Sequence, residues 1–533
     1  MRDRESRIAG SKEYHNKIRE ELTGRFKSNL SGFFSVCLVG FLVLFQIGII
    51  ILLPFVLQNI TVYFYVVLEI FSIVLILNLV NDNRSPSYKI SWICIALVLP
   101  ISGHIMYLLW GGRDSTKRLD DNIKHIMRHG QMFLEHDNGL AEEFYNKKPL
   151  EARVSKYMTS QNFPLYANNQ IAYYSMGEDA FEAIFNELEK AEKFILINFF
   201  IVAEGAIWDT LHEILLKKIK EGVEVKFMYD DFGAKIRTDK HFRKKLEQEG
   251  FQVQIFNPIH KYTDKLYMNY RSHQKIVVVD GNVGFTGGYN IADEYANLIN
   301  RFGTWKDNGI RVEGDAVWGM TVTFLQMWEV CQGTAQIDYE KYRPSRAFPK
   351  SDTFCHVVSD GPAYNRSNPI ENIYQQMIQY SEQYLVITTP YLIIEDDMKR
   401  ALITAVQSGV DVRIITPYIP DKKHVKLLTN YNYGYLLKHG VRIYEYKPGF
   451  IHAKTILNEK NVIVGTINMD YRSFYLHYEN GVWISDKTVV GKIKADMDKT
   501  LEQCEEVSYE EWLQRPLFMK MKQVFLNMFS TLM

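Results

Sequence analysis

Two things are missing from this sequence: a surplus of charge and a cysteine framework. Lysine plus arginine and aspartate plus glutamate balance at 62 each over 533 residues, so net charge argues neither for nor against a nucleic-acid partner. The five cysteines, Cys37, Cys94, Cys331, Cys355 and Cys504, are scattered without a CxxC pair. They support neither a zinc site nor a disulfide scaffold and fit a reducing compartment. Charge is also absent locally, with none from Ser31 to Gln58. That run exceeds the ~20 residues that span a bilayer and is too long for a cleaved signal peptide. A second run, Thr61 to Val80, carries only Glu69, and a third, Ile90 to Trp110, carries no charge but is interrupted by Pro100, Gly103 and His104.

Three such runs predict a membrane region over residues 31–111, with segments at about 32–55, 61–81 and 90–110. The basic N-terminus, residues 1–30, belongs on the cytoplasmic side. The stretch after the third run (Arg113, Lys117, Arg118, Lys124, Arg128) is also basic, and three full crossings cannot satisfy both ends. Either the broken third run is re-entrant or one charge preference is overridden; two or three crossings remain open. A multi-pass protein of the cell membrane with a cytoplasmic catalytic domain is the expectation. Glu69, an acid inside an apolar run, is a functional suspect by default, with a helix–helix or structural role preferred.

At 533 residues the chain exceeds the ~250–300 at which single cores stop growing. The expected divisions are a linker over 112–168, one unit over 169–345, and a second over 346–533 that includes a C-terminal helix. From about Asn169 helices and strands alternate. Helical spacing covers Glu178–Lys190, Ile207–Lys220 and Lys240–Glu249; apolar β-branched runs cover Phe194–Ile201, Val223–Tyr229 and Phe251–Phe256. Gly222 is placed to cap a helix. This alternation predicts mixed or mainly parallel sheets covered on both faces.

The middle of the chain carries the chemistry. In Arg271-Ser-His273-Gln-Lys275 a histidine and a lysine two positions apart open an apolar run ending at Asp280-Gly-Asn. Residues i and i+2 of a strand share a face, so His273 and Lys275 fall together, whereas parity puts Asp280 on the other face. Gly287-Gly288-Tyr-Asn290 follows, small enough for a phosphate to approach the backbone. The same order then recurs roughly 170–190 residues later. Glu192-Lys-Phe-Ile-Leu-Ile is echoed by Glu382-Gln-Tyr-Leu-Val-Ile, Gly222-Val-Glu-Val by Gly409-Val-Asp-Val, and Gly250-Phe-Gln-Val by Gly440-Val-Arg-Ile. His452-Ala-Lys454 repeats the central motif, Gly465-Thr-Ile-Asn468 repeats the small-residue run, and Glu479-Asn-Gly matches Asp307-Asn-Gly. The C-terminal part is therefore a duplicated α/β unit, with the two His-x-Lys motifs meeting where the halves pack. The tail after Arg515-Pro516 reads as a short apolar helix that lies on a bilayer surface or packs on the domain.

Two His-x-Lys motifs, each followed by a small-residue run ending in Asn, resemble the phospholipase D superfamily. Asn269-Tyr-Arg-Ser-His-Gln-Lys, Gly287-Gly-Tyr-Asn-Ile-Ala-Asp-Glu-Tyr295, Trp305-Lys-Asp307, Thr389-Pro-Tyr391 and Asn468-Met-Asp-Tyr-Arg-Ser-Phe474 resemble bacterial cardiolipin synthases in particular. The likeness runs from about Asn81 to the C-terminus; the first apolar run is additional to the family's usual pair. Two departures stand out. Asn198 occupies a position where the family often carries Glu, and the second motif lacks the family's Asp. Counting from His452 puts Glu459 in that slot, and counting back from Gly465 puts Asn458 there.

The resemblance implies a catalytic set of His273, Lys275, Asp280, His452, Lys454 and Glu459, with Asn290 and Asn468 at the phosphate. Parity makes Asp280 a turn residue instead. His273 is implied as the nucleophile, forming a phosphohistidine, and His452 as the acid and base. A histidine nucleophile also needs its second nitrogen held by an acceptor; the repeat points to Asp307 and Glu479, with Glu294 as runner-up. Neither a cofactor nor a metal is expected, since no carboxylate or cysteine ligand set accompanies the histidines. The implied reaction makes cardiolipin from two molecules of phosphatidylglycerol, with membrane lipid rather than nucleic acid as partner. The alternatives are a lipid hydrolase, or a catalytically weakened membrane scaffold prompted by the altered second motif. Oligomeric state and lipid-chain preference have no signature in the sequence.

Overall fold

In the computed structural model of the protein, the described residues are 40–42, 44–48, 61–82, 84–111, 117–258, 270–363 and 367–532. They group into two compact units. The larger contains Leu119–Pro258 and Tyr270–Pro516; the smaller contains described residues of Arg19–Arg118 and Leu517–Met533.

The larger unit is built on two sheets. Its strands are β1 (Leu165–Tyr166), β2 (Gln170–Tyr174), β3 (Phe194–Phe199), β4 (Glu224–Asp230), β5 (Gln252–Phe256), β6 (Ile276–Val279), β7 (Val283–Gly287), β8 (Gly309–Glu313), β9 (Phe354–Asp360), β10 (Tyr384–Thr388), β11 (Asp411–Pro417), β12 (Arg442–Tyr446), β13 (Thr455–Asn458), β14 (Val462–Gly465), β15 (His477–Ser485) and β16 (Cys504–Glu506). The first sheet runs β2-β8-β7-β6-β3-β4-β5, and the second runs β1-β9-β15-β14-β13-β10-β11-β12-β16. Without its added edge strands, the second repeats the first strand for strand. In each, the pairings β3–β4–β5 and β10–β11–β12 are parallel. The strands joined through the His-x-Lys hairpins are antiparallel. The sheets are mixed, not mainly parallel: a two-residue-scale turn can only reverse a chain, so each hairpin fixes an antiparallel neighbour.

Alternation along the strands sorts side chains into layers. In β3, Ile195, Ile197 and Phe199 join one core, while Phe194 and Leu196 join another. That second core also holds Val386 of β10 and Leu457 of β13, together with residues of helices Ala316–Gln332 and Lys487–Leu501. These two helices are thus sandwiched between the sheets. Helices Gly177–Leu188, Ala206–Lys220 and Phe242–Gln248 cover the outer face of the first sheet. Helices Pro369–Gln379, Asp396–Gln407 and Lys423–Lys438 cover the second. Each fully buried Leu- or Phe-sized side chain contributes roughly 1.5–3 kcal/mol, so the shared central layer ties the halves into one body. Gly222 and Gly409, both with positive φ, end the equivalent helices as a left-handed cap requires.

Residues 112–168, expected as a linker, hold helices Lys117–Gln131, Asn138–Lys147 and Ala152–Ser160. Ile123 and Met127 enter the central core, and Phe144, Val154 and Met158 the outer core of the second sheet.

In the smaller unit, the second apolar run forms helix Thr61–Val80. The third breaks into Pro86–Val98, Ser102–Met106 and a π-turn at Tyr107–Gly111. The break has a local cause: a Cβ at Gly103 would lie 2.6 Å from Ile95 O, so only glycine permits the chain to fold back there. Gln46 accepts hydrogen bonds from Ser102 N and Ser102 Oγ, securing the second piece. Leu75, Leu79, Trp92, Ala96 and Tyr107 form a small core. The C-terminal helix Leu517–Asn527 belongs to this unit, and Ser91 Oγ donates to Met528 O at 2.6 Å. Among the described residues, no helix is long and apolar enough to cross a membrane, so the expected transmembrane helices are not shown in this region. Interruption shortens the third run, and most of 32–55 lies outside the described residues. Glu69 is exposed on its helix.

Candidate active site

Each His-x-Lys segment sits just before a central strand, not within it. Residues 273–275 and 452–454 are irregular backbone ahead of β6 and β13. What replaces the strand is a reciprocal crossing between halves. Arg271–Ser272 pairs in parallel with His477–Tyr478, and His273 N donates to Tyr478 O at 2.8 Å. Gly449–Ile451 pairs in parallel with Thr304–Lys306, and His452 N donates to Lys306 O at 2.7 Å. The residue after each receiving pair is an acid, so each histidine is delivered to the carboxylate of the opposite half. His273 Nδ1 donates to Glu479 at 2.9 Å, and His452 Nδ1 to Asp307 at 2.7 Å. Both acids are fully buried.

Fixing Nδ1 on a carboxylate leaves Nε2 of each ring for chemistry. Lys275 Nζ donates to His273 O at 2.7 Å, and Lys454 Nζ donates to His452 O. The four side chains are buried, and this dominates their titration. Burial pushes His452 down to about 4, with the Lys454 charge adding to the shift and Asp307 opposing it. Burial likewise holds His273 well below its ordinary value, with Lys275 and Lys454 adding to it. Lys275 falls to about 7 and Lys454 to about 8, again through burial, against the pull of Glu479 and Asp307 respectively. Burial alone would raise the Asp307 carboxyl, but His452 and Lys454 bring it below the usual range. Neutral imidazoles between buried carboxylates and easily deprotonated lysines make a site that gains from binding an anion.

The remaining candidates fall elsewhere. Asp280 has a φ of 52° and accepts hydrogen bonds from Glu192 N, Lys193 N and Phe194 N at 2.8–2.9 Å. Its carboxylate staples the turn to the start of β3 and does not face the histidines, a correction to its catalytic listing by motif. Glu459 does the same in the second half, accepting from Glu382 N and Gln383 N, the counterparts of Glu192 and Lys193. Asn458 instead caps its own turn, accepting from Lys460 N and Asn461 N. The acidic slot is therefore filled by Glu459. Asn290 is committed to Ile201 N and the Tyr295 hydroxyl, whereas Asn468 Oδ1 is buried without a hydrogen-bond partner among the described residues. Glu294 pairs with Arg237 and Arg301, not with a histidine. Asn198 Nδ2 donates to Gln274 Oε1 at 3.2 Å. Gly288 makes room for the site's own groups, since a Cβ there would lie 2.0 Å from Asp307 Oδ1 and 2.8 Å from His452 O.

Sequence reasoning missed His477. It stands two residues before Glu479, its Nδ1 3.6 Å from Glu479 Oε1 and its ring centroid 5.6 Å from that of His273. Setting the repeat's tails side by side would have shown His477 where the first half has Trp305. His273, His477 and Glu479 place ligand-type atoms within 4.8 Å of one another, the one such group among the described residues.

A duplicated mixed sheet with two carboxylate-held His-x-Lys segments is the architecture of phospholipase D-like proteins. The family description "Cardiolipin synthase, PLD-like domain" matches residues 184–302 and 374–501, and "Phospholipase_D-nuclease N-terminal" matches 70–112. An uncharacterized protein of Streptococcus mutans serotype c is 37% identical, covering 81% of this chain and 94% of its own. The major cardiolipin synthase of Bacillus subtilis (strain 168) is 32% identical, covering 85% and 95%. The cardiolipin synthase of Oceanobacillus iheyensis is 31% identical, covering 84% and 94%. The chain belongs to the cardiolipin synthase family of the phospholipase D superfamily. Its fold is also that of phosphatidylserine synthase from Haemophilus influenzae Rd KW20, with a TM-score of 0.54 at 15% identity over 71% of this chain and 98% of that one.

Proposed function

We propose that this protein is a phosphatidyltransferase that makes cardiolipin from two phosphatidylglycerol molecules and releases glycerol. The observation that carries the reading is the reciprocal pairing of His273 with Glu479 and His452 with Asp307, in a chain of this family. In the first step His273 Nε2 attacks phosphorus, a P–N bond forms, and the P–O bond to glycerol breaks. His452 gives its Nε2 proton to the departing oxygen, so glycerol leaves neutral. In the second step the hydroxyl of another phosphatidylglycerol loses its proton to His452 and attacks phosphorus, the P–N bond breaks, and His273 is regenerated. Lys275 and Lys454 stabilise charge on the non-bridging oxygens, and Asn468, with its free carbonyl oxygen, orients the bound headgroup. The phosphodiester's negative charge raises the proton affinity of His452 above its empty-site value, arming the acid on substrate binding. The altered second motif does not weaken this reading, because Glu459 and Asp280 cap equivalent turns away from the chemistry.

The apolar runs seat the protein in the cell membrane as a multi-pass protein, with the catalytic unit on the cytoplasmic side. Support comes from helix Thr61–Val80, where Val62, Ile70, Phe71, Leu77 and Val80 are exposed, an apolar surface that water alone would not favour. The test is reconstitution of the full chain into phosphatidylglycerol vesicles. Cardiolipin and glycerol in equal amounts are expected; phosphatidic acid with glycerol would make it a hydrolase, and no product would make it a scaffold.

A further inference from the structure

The polar surroundings of Glu479 extend one residue beyond the pair already described. Arg472 lies on helix Tyr471–Tyr475, whose N-terminus is capped by Asp470. Its Nε donates to His477 Nε2 at 3.3 Å. Since Nε2 accepts, the proton of a neutral His477 sits on Nδ1, and burial, pushing the ring down to about 3, keeps it neutral. That Nδ1 is buried and makes no hydrogen bond among the described residues. The nearest carboxylate oxygen is Glu479 Oε1 at 3.6 Å, just beyond a hydrogen bond. Hydrogen bonds at catalytic centres often reach full strength only in the substrate complex. Glu479 Oε2 is already taken by the Thr466 hydroxyl as well as by His273. A donor at Oε1 would therefore complete the carboxylate's coordination.

We infer that His477, held in its Nδ1–H tautomer by Arg472, is a positioning residue that fixes the Glu479 carboxylate on His273 Nδ1 during attack on phosphorus. The first half has no counterpart: Trp305 occupies the equivalent place beside Asp307 and packs on His452, ring centroids 5.4 Å apart. A carboxylate held on three sides keeps the attacking imidazole aimed and stabilises the positive charge it gains as the P–N bond forms. An acid and base that turns over a single proton makes no such demand, so the asymmetry marks His273 as the nucleophile.

This inference deepens the proposed function, and the experiment separates the two. The full chain in phosphatidylglycerol vesicles is assayed for both glycerol released and cardiolipin formed, comparing wild type with His477→Leu, His477→Gln and His477→Asn. Asparagine places an N–H at the position of Nδ1; glutamine carries it one bond too far, and leucine has none. Misorientation predicts a fall in kcat of about tenfold or more for the Leu and Gln variants, with KM within about twofold, and recovery to within about threefold of wild type for the Asn variant. Matched melting temperatures check that the variants fold, and the Gln–Asn contrast stands even where the Leu variant does not. Wild-type rates in the Leu and Gln variants, or an Asn variant as slow as they are, would overturn the role of His477. Glycerol release without cardiolipin in wild type would overturn the synthase reading while still reporting on His477, and an inert wild type would overturn both.

Discussion

Around His452 the walls are aromatic: Tyr295, Trp305 and Phe450 bring ring centroids within 5.3–5.8 Å of it. Around His273 stand Phe200 on one side and His477, bonded to Arg472, on another. The acids differ in the same sense. Asp307 packs against Gly288, whereas the residue equivalent to Gly288 is Thr466, whose hydroxyl donates to Glu479. Duplication supplied two copies of one hairpin on one sheet order; the surroundings then diverged, one site polar and braced, the other apolar and snug. A braced imidazole suits bond formation to phosphorus, and an imidazole in an apolar wall suits passing a proton whose affinity the bound anion resets.

The sharpest way to break this division of labour is to remove each histidine and change the leaving group. With phosphatidylglycerol, His273→Ala and His452→Ala should each lower turnover by about 10⁴-fold or more. With a phospholipid whose leaving group is a nitrophenolate, no acid is required. In the burst of nitrophenolate that reports the first step, His452→Ala should then recover by about 10²-fold or more, and His273→Ala should not. Recovery in His273→Ala instead would reverse the assignment. Smaller effects are expected one bond away, for Glu479→Gln and Asp307→Asn. Each should cost about 10²-fold less than loss of the histidine it holds, Glu479→Gln slowing the glycerol burst and Asp307→Asn depending on the leaving group as His452→Ala does. Rapid-quench measurement of the burst distinguishes them.

The lysines give the comparison a pH signature. Both are depressed, so their cationic forms are lost as pH rises through about 7 for Lys275 and about 8 for Lys454. The imidazole of His452 gains its proton only as pH falls toward about 4. In the free enzyme kcat/KM should therefore fall on the alkaline side as pH rises through about 7 to 8 and hold or rise on acidification, with no loss on the acidic side near the ordinary histidine value of about 6.5. A bell centred on that value would show the imidazoles to be hydrated and unlike the buried groups described.

The duplication was legible because equivalent strands kept their wording: Glu192 and Glu382 open matching strands, and Gly222 and Gly409 end matching helices. The identity of the orienting acids was legible from the same tails. Which acid serves which histidine was not. Asp307 follows His273 and Glu479 follows His452 along the chain, and nothing in spacing reveals that Arg271–Ser272 and Gly449–Ile451 cross to the opposite half. That pairing is a tertiary choice between edges of similar local preference. The same crossing explains why His273 and Lys275 lie outside the regular strand: the Lys275 amide is taken by Asn480 Oδ1. Asn290 misled for a related reason, since a small-residue run ending in Asn looks like a phosphate cradle until Tyr295 and Ile201 claim its side chain. Among the described residues the second and third apolar runs form helices, but Gly103 and Gln46 set where the third one breaks.

The least disruptive contrast concerns the two turn acids, and here stability should move without activity. Asp280 is buried and accepts three backbone hydrogen bonds at 2.8–2.9 Å. Glu459 accepts two longer ones, at 3.1 and 3.3 Å, close to Lys460. Removing an acceptor that satisfies buried amides costs about 1–3 kcal/mol, whereas a solvated pair of weaker bonds costs about 1 kcal/mol or less. Asp280→Ala adds strain, because alanine tolerates a φ of 52° less well than aspartate does. Asp280→Ala should therefore lower the denaturation midpoint clearly and Glu459→Ala only slightly, with cardiolipin formation by the folded fraction unchanged in both. If Glu459→Ala instead abolished turnover at an unchanged midpoint, its carboxylate would belong to the chemistry, and the two turns would not be equivalent.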